Sequence, residues 1–134
     1  MSGPATIVLD ASVGVKWFRK EAGSSEAAAL YGDAVAGRVR LTVPVHFMHE
    51  FLSVLKRELG PAAVPEGWDY LEASGLNAVP LTHEVVSEAA AQCEALGCSF
   101  YDALSPALAS LLGGELVSAD ARAHGAYPGV RLIG

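Results

Sequence analysis

The stretch Ile7-Val8-Leu9-Asp10 constrains the fold of this chain more than any other. Three apolar branched residues in succession fit a strand buried on both faces, the pattern of a parallel sheet covered by helices. The run closes on an acid, and Ala11-Ser12-Val13 opens a helical pattern directly after it. In open α/β sheets, ligands bind in the crevice beyond the carboxyl ends of the strands. Asp10 is therefore placed where chemistry is usually done, and the remaining chain must supply its partners.

Strand and helix patterns then alternate. Ser12 to Phe18 reads as a short helix. Ser25 is an N-cap candidate for a helix over Glu26 to Ala36, with Gly37 closing it. Leu41-Thr42-Val43 reads as a strand stopped by Pro44. Val45 to Leu59 follows as an amphipathic helix with Phe47, Phe51, Val54 and Leu55 along one side. Pro61 to Pro65 reads as a break before a short helix over Glu66 to Ala73. Ala78-Val79-Pro80-Leu81 reads as a strand, its proline pointing to a sheet edge. Thr82 and Ser99 are caps for helices to Leu96 and over Phe100 to Leu112, each followed by glycine. Leu116 to Ala119 is a fourth strand, running into Asp120, and Val130 to Ile133 a last one. The expectation is one domain over residues 1–134, a three-layer α/β/α fold with a mostly parallel sheet.

The 134 residues are enough to bury a substantial core, and an apolar fraction of 51% argues against disorder. Cys93 and Cys98 are too few for a disulfide framework, and their spacing matches neither a zinc nor a thioredoxin motif, so they read as reduced thiols with at least one in the core. No basic head with an apolar run marks a signal peptide, and no apolar stretch reaches the ~20 residues of a membrane span. A cytoplasmic protein with no membrane partner is expected. The net charge of −6 is unevenly spread. Residues 1–57 hold seven Lys/Arg against five Asp/Glu, a net of +2, and the remainder two against ten, a net of −8. A basic face for nucleic acid is thus compatible with an acidic total.

Four acids fall at element ends or on helix faces in apolar surroundings: Asp10, Glu50, Asp102 and Asp120. Singly, each has an ordinary structural reading. Asp10 and Asp120 can cap the helices that follow, Asp102 completes a capping box with Ser99, and Glu50 can face solvent. Together they are harder to dismiss. Two carboxylates ~4 Å apart repel by about 4 kcal/mol at an effective dielectric of 20. Four in one crevice either take up protons or need a cation, and an all-oxygen shell suits Mg²⁺. Such an ion can promote phosphodiester hydrolysis. His46 lies one turn before Glu50 and fits a crevice wall or a surface position, whereas His83 and His124 stand isolated. No P-loop, G-x-G-x-x-G or G-x-S-x-G motif is present. Asp10-Ala11-Ser12 lacks the second acid of a D-x-D phosphatase pattern, which disfavours an aspartyl-phosphate enzyme using Asp10.

Four segments resemble, in order, those of the PIN-domain ribonucleases, specifically the VapC-type toxins of prokaryotic toxin–antitoxin pairs. They are Val8-Leu9-Asp10-Ala11-Ser12-Val13 with Lys16-Trp17-Phe18, Pro44 followed by Glu50 and Leu52 to Leu55, Tyr101-Asp102-Ala103-Leu104 with Ala107-Leu108-Ala109, and Leu116-Val117-Ser118-Ala119-Asp120. The resemblance implies about five parallel strands and Mg²⁺- or Mn²⁺-dependent cleavage of RNA to a 5′-phosphate. It also implies a homodimer and a small VapB-like antitoxin that blocks the site. Asp10, Asp102 and Asp120 would be the main metal ligands, and Glu50 would bind metal or orient the attacking water. Ser12 and Ser118 would position neighbouring carboxylates or waters. Lys16, Arg19, Lys20 and Arg57 would hold the RNA backbone. Ser53 stands where relatives often carry Asn, and Ser118 where Thr is commoner. Pro106, four residues after Asp102, should kink the helix there or delay its start. Ser53 and Pro106 favour the alternative of a PIN domain that has lost catalysis and works as a binding module.

Overall fold

The computed structural model describes residues 3–134. Five strands, β1 (Ala5–Leu9), β2 (Val39–Pro44), β3 (Asn77–Val79), β4 (Glu115–Ser118) and β5 (Arg131–Leu132), form one sheet in the order β3-β2-β1-β4-β5. Every pairing in it is parallel. The helices are α1 (Ala11–Gly14), α2 (Ser24–Val35), α3 (Val45–Leu59), α4 (Ala63–Ala73), α5 (His83–Leu96), α6 (Phe100–Leu112) and α7 (Ala121–His124).

The period of two along a strand divides the core. Ile7 and Leu9 of β1, Leu41 and Val43 of β2 and Val117 of β4 face Val13, Leu30, Phe47, Phe51 and Leu71 from α1 to α4. Val8 and Leu116 point the other way, into Val85, Ala89, Leu104, Ala107 and Leu108 of α5 and α6. β1 is buried on both sides because helices cover both, giving the three-layer α/β/α arrangement with a parallel sheet. The chain adds β2 and β3 on one flank of β1, then crosses to place β4 on the other. The crevice where the direction of winding reverses lies between the ends of β1 and β4.

Several boundaries differ from those expected. The segment after β1 divides into α1 and a 3₁₀ turn over Val15–Trp17. α2 begins at Ser24 and is preceded by Gly23, not capped by Ser25. Gly23 takes φ +85°, and an added Cβ would lie 2.8 Å from the Gly134 amide nitrogen, so a side chain there is doubly disfavoured. α4 starts at Ala63, with Pro65 accommodated in its first turn where no helical donor is required. The Thr82 and Ser99 caps form as expected, accepting from the amides of Val85 and Asp102 at 3.2 and 3.1 Å. Pro106 neither delays α6 nor ends it: the helix runs from Phe100 with the proline inside. The helix after Asp120, implied by the capping reading but given no bounds there, is the four-residue α7. Among the described residues, no single helix is long and apolar enough to cross a membrane.

Candidate functional site

Asp10 leaves β1 at the crevice and caps α1. Its Oδ2 accepts the Ser12 amide at 3.0 Å and the Ser12 hydroxyl at 2.5 Å. The same hydroxyl oxygen accepts the Ala119 amide at 3.0 Å, and the Asp10 amide donates to the Val117 carbonyl at 3.1 Å. Two strand ends 107 residues apart are thereby pinned together. Asp120 caps α7 through Oδ1, which accepts the Ala123 amide at 3.1 Å, and its own amide donates to Ser118 Oγ at 3.0 Å. The capping roles are real, yet each uses one carboxylate oxygen and leaves the other without a hydrogen bond among the described residues. Asp102 enters from the start of α6. Only its amide takes part in the Ser99 cap, so its carboxylate is not consumed by a capping box.

Glu50 approaches from α3, half-exposed, with His46 one turn earlier at 3.9 Å between Nε2 and Oε1. Asp10, Glu50, Asp102 and Asp120 line one cavity of about 230 Å³, together with Ser12 and His46. Burial pushes the Glu50 carboxyl above the usual range, and the charges of Asp10 and Asp102 push it further. His46 is pushed the other way by burial, and its Nδ1 has no hydrogen-bond partner. Among the described residues, no Lys or Arg forms an ion pair with any of the four acids. Nor do any three His, Cys, Asp or Glu side chains stand close enough to hold a metal ion as placed. The donor set suits a hard divalent cation in chemistry; the carboxylates stand apart, as mutual repulsion favours.

That repulsion has a measurable consequence. Glu50→Gln is expected to raise the stability of the cation-free protein by about 0.5–1 kcal/mol, discounted for solvent screening. Thermal unfolding in chelator should show an upward shift, and an unchanged or lower midpoint would mean that the acids do not repel.

The basic residues separate. Lys16, expected to face RNA, is buried, its Nζ donating to the Ala22 carbonyl at 2.6 Å and to Glu21 at 3.2 Å. Two of the three ammonium hydrogens are spent on these internal acceptors, and the burial of the group keeps it from reaching a phosphate. Arg19 is engaged by Glu58, with Nε at 2.9 and 3.1 Å from its two oxygens. Lys20 and Arg57 are exposed. Arg57 lines a depression next to the acidic cavity with His49, Glu50 and Ser53. Ser53 makes no hydrogen bond to the four acids among the described residues. Asp102 and Asp120 also line a further cavity of about 220 Å³, together with Arg122.

A model of the PIN domain matches residues 7–127. The chain belongs to the PIN-domain family. No curated protein matches its sequence. Its fold is shared with solved toxin–antitoxin structures. The toxin–antitoxin complex of Klebsiella pneumoniae superposes with a TM-score of 0.75 at 16% identity, covering 93% of this chain and 95% of that one. VapC20 of Mycobacterium tuberculosis, a toxin that cleaves the sarcin–ricin loop, gives 0.73 at 17%, covering 96% and 99%. The DNA-bound VapBC of Salmonella typhimurium gives 0.66 at 15%, covering 96% of each. This PIN domain thus has the VapC-type fold over nearly its full length. Two features of its crevice were not anticipated from the residues: the buried His124, described below, and Arg122 beside the second cavity. The signal for the first was present in Pro106, which strips the Asp102 carbonyl of its helical donor.

Proposed function

We propose that this PIN domain is a Mg²⁺- or Mn²⁺-dependent ribonuclease of the VapC type, the toxin of a toxin–antitoxin pair. The observation that carries the proposal is the convergence of four carboxylates on one cavity, where among the described residues no Lys or Arg forms an ion pair with any of them. Asp10, Asp102 and Asp120 would hold the cation, and Glu50 would hold it or orient water. A bound divalent ion supplies polarisation of the scissile phosphate and a more acidic water. The protein's own groups do the rest. Ser12 fixes the Asp10 carboxylate, Ser118 fixes the Asp120 amide, and Glu50 would orient the attacking water or take its proton. Lys20 and Arg57, with Arg19 if it leaves Glu58, would hold the RNA backbone. The product would carry a 5′-phosphate. Because solved relatives are toxin–antitoxin assemblies, a small VapB-like antitoxin and a second copy of this chain are the proposed partners.

A second reading has its own observation. The carboxylates do not close around one point, so a PIN domain that binds partners without cutting RNA is compatible with the site as placed. Ser53 standing away from the four acids adds to it. Calorimetric titration with Mn²⁺ and a fluorogenic single-stranded RNA series separates the two. Stoichiometric binding with cation-dependent cleavage supports the nuclease. Absence of both establishes the binding module.

A further inference from the structure

We propose that His124 is a positioning residue that takes over, at the Asp102 carbonyl, the hydrogen bond Pro106 cannot make, and thereby couples the peptide units bearing Asp102 and Asp120. Pro106 lies inside α6 and has no amide hydrogen, so the carbonyl four residues earlier loses its helical donor. That carbonyl is Asp102's. His124 Nε2 lies 2.6 Å from it. A carbonyl only accepts, so Nε2 carries the hydrogen, and in a neutral ring Nδ1 then accepts the Ser118 hydroxyl at 2.7 Å. Ser118 Oγ in turn accepts the Asp120 amide at 3.0 Å. The ring is fully buried, and α7, capped by Asp120, delivers it there. An unbroken path of three hydrogen bonds runs from one acid's peptide to the other's. An apolar side chain of equal bulk would fill the space and leave the Asp102 carbonyl without its donor and the Ser118 hydroxyl hydrogen without an acceptor. Holding both peptides orients both carboxylates toward the shared crevice, as hydrogen bonds behind a ligand shell do in metal sites.

The effect on cation binding rests on the nuclease function proposed above; the hydrogen-bond path does not. The test therefore reads both. In the cation-free protein, ¹⁵N shifts of the His124 ring should show hydrogen on Nε2 and none on Nδ1, and hydrogen on Nδ1 overturns the path whether or not Mn²⁺ binds. Mn²⁺ titration is then run on the parent, His124→Leu, Pro106→Ala and the double variant, with thermal unfolding alongside. His124→Leu should weaken Mn²⁺ by about tenfold or more. Pro106→Ala restores the helical donor, so in that background the same substitution should cost markedly less. Equal losses in both backgrounds would reduce His124 to a packing role and overturn the proposal. If His124→Leu does not fold, His124→Gln, which can still present a donor to the Asp102 carbonyl, should keep affinity within about threefold of the parent; a loss as large as tenfold in a folded Gln variant overturns it. A parent that binds no Mn²⁺ defeats the nuclease function alone, and the ring shifts still decide the path.

Discussion

Asp10→Asn is expected to lower Mn²⁺-dependent cleavage of single-stranded RNA by about 10³-fold or more while leaving the fold in place. The size follows from losing several kcal/mol of charge stabilisation at a cation, at 1.36 kcal/mol per factor of ten. Asn keeps the shape of the side chain and one oxygen, so the Ser12 amide can still be accepted and α1 stays capped. What goes is the negative charge at the centre of the acidic cavity. Single-turnover cleavage and Mn²⁺ calorimetry on the same sample check it, with circular dichroism to confirm folding. Parent-like activity in the variant would remove Asp10 from the chemistry and leave it as a helix cap.

Phe47→Ala is expected to be the most damaging single truncation in the core, costing about 3–5 kcal/mol, a large part of the 5–15 kcal/mol that holds a domain together. Phe47 is fully buried on α3, with its ring 6.2 Å from those of Trp17 and Phe51. α1 approaches this ring so closely that a Cβ on Gly14 would lie 2.6 Å from Phe47 Cζ. The ring therefore seats both the turn after Asp10 and the helix that carries His46 and Glu50. Urea denaturation should show the midpoint falling with little change in slope. A loss below ~1 kcal/mol would mean that the neighbouring aromatic rings collapse into the space.

The local grammar of the chain was legible from its residues. The Val45–Leu59 helix is bounded as its apolar spacing and Gly60 imply. The Thr82 and Ser99 caps form because a hydroxyl three residues ahead of a free amide satisfies it in place. Errors gathered where sequence rules compete. Ser25 suggested an N-cap, but the chain takes a left-handed turn at Gly23, starts the helix at Ser24 and uses the Ser24 hydroxyl to bond Arg19 and Glu21. Pro106 allowed a helix that starts late, whereas α6 starts at Phe100, and nothing local reveals that a histidine 18 residues downstream meets the carbonyl the proline exposes.

The sequence by itself determined the alternation of strands and helices, and it put an acid after β1 and after β4, at the start of α6 and on α3. These are consequences of period and capping, set by groups within a few residues of each other. Only the tertiary structure decided that β4 lies beside β1, which brings Asp120 to Asp10 and sets the Ser12 hydroxyl under Ala119. Only it buried Lys16 away from any phosphate and seated His124 between α6 and β4. The physical reason is that strand order and side-chain burial are settled by contacts between residues tens of positions apart, where local hydrogen bonding has no say.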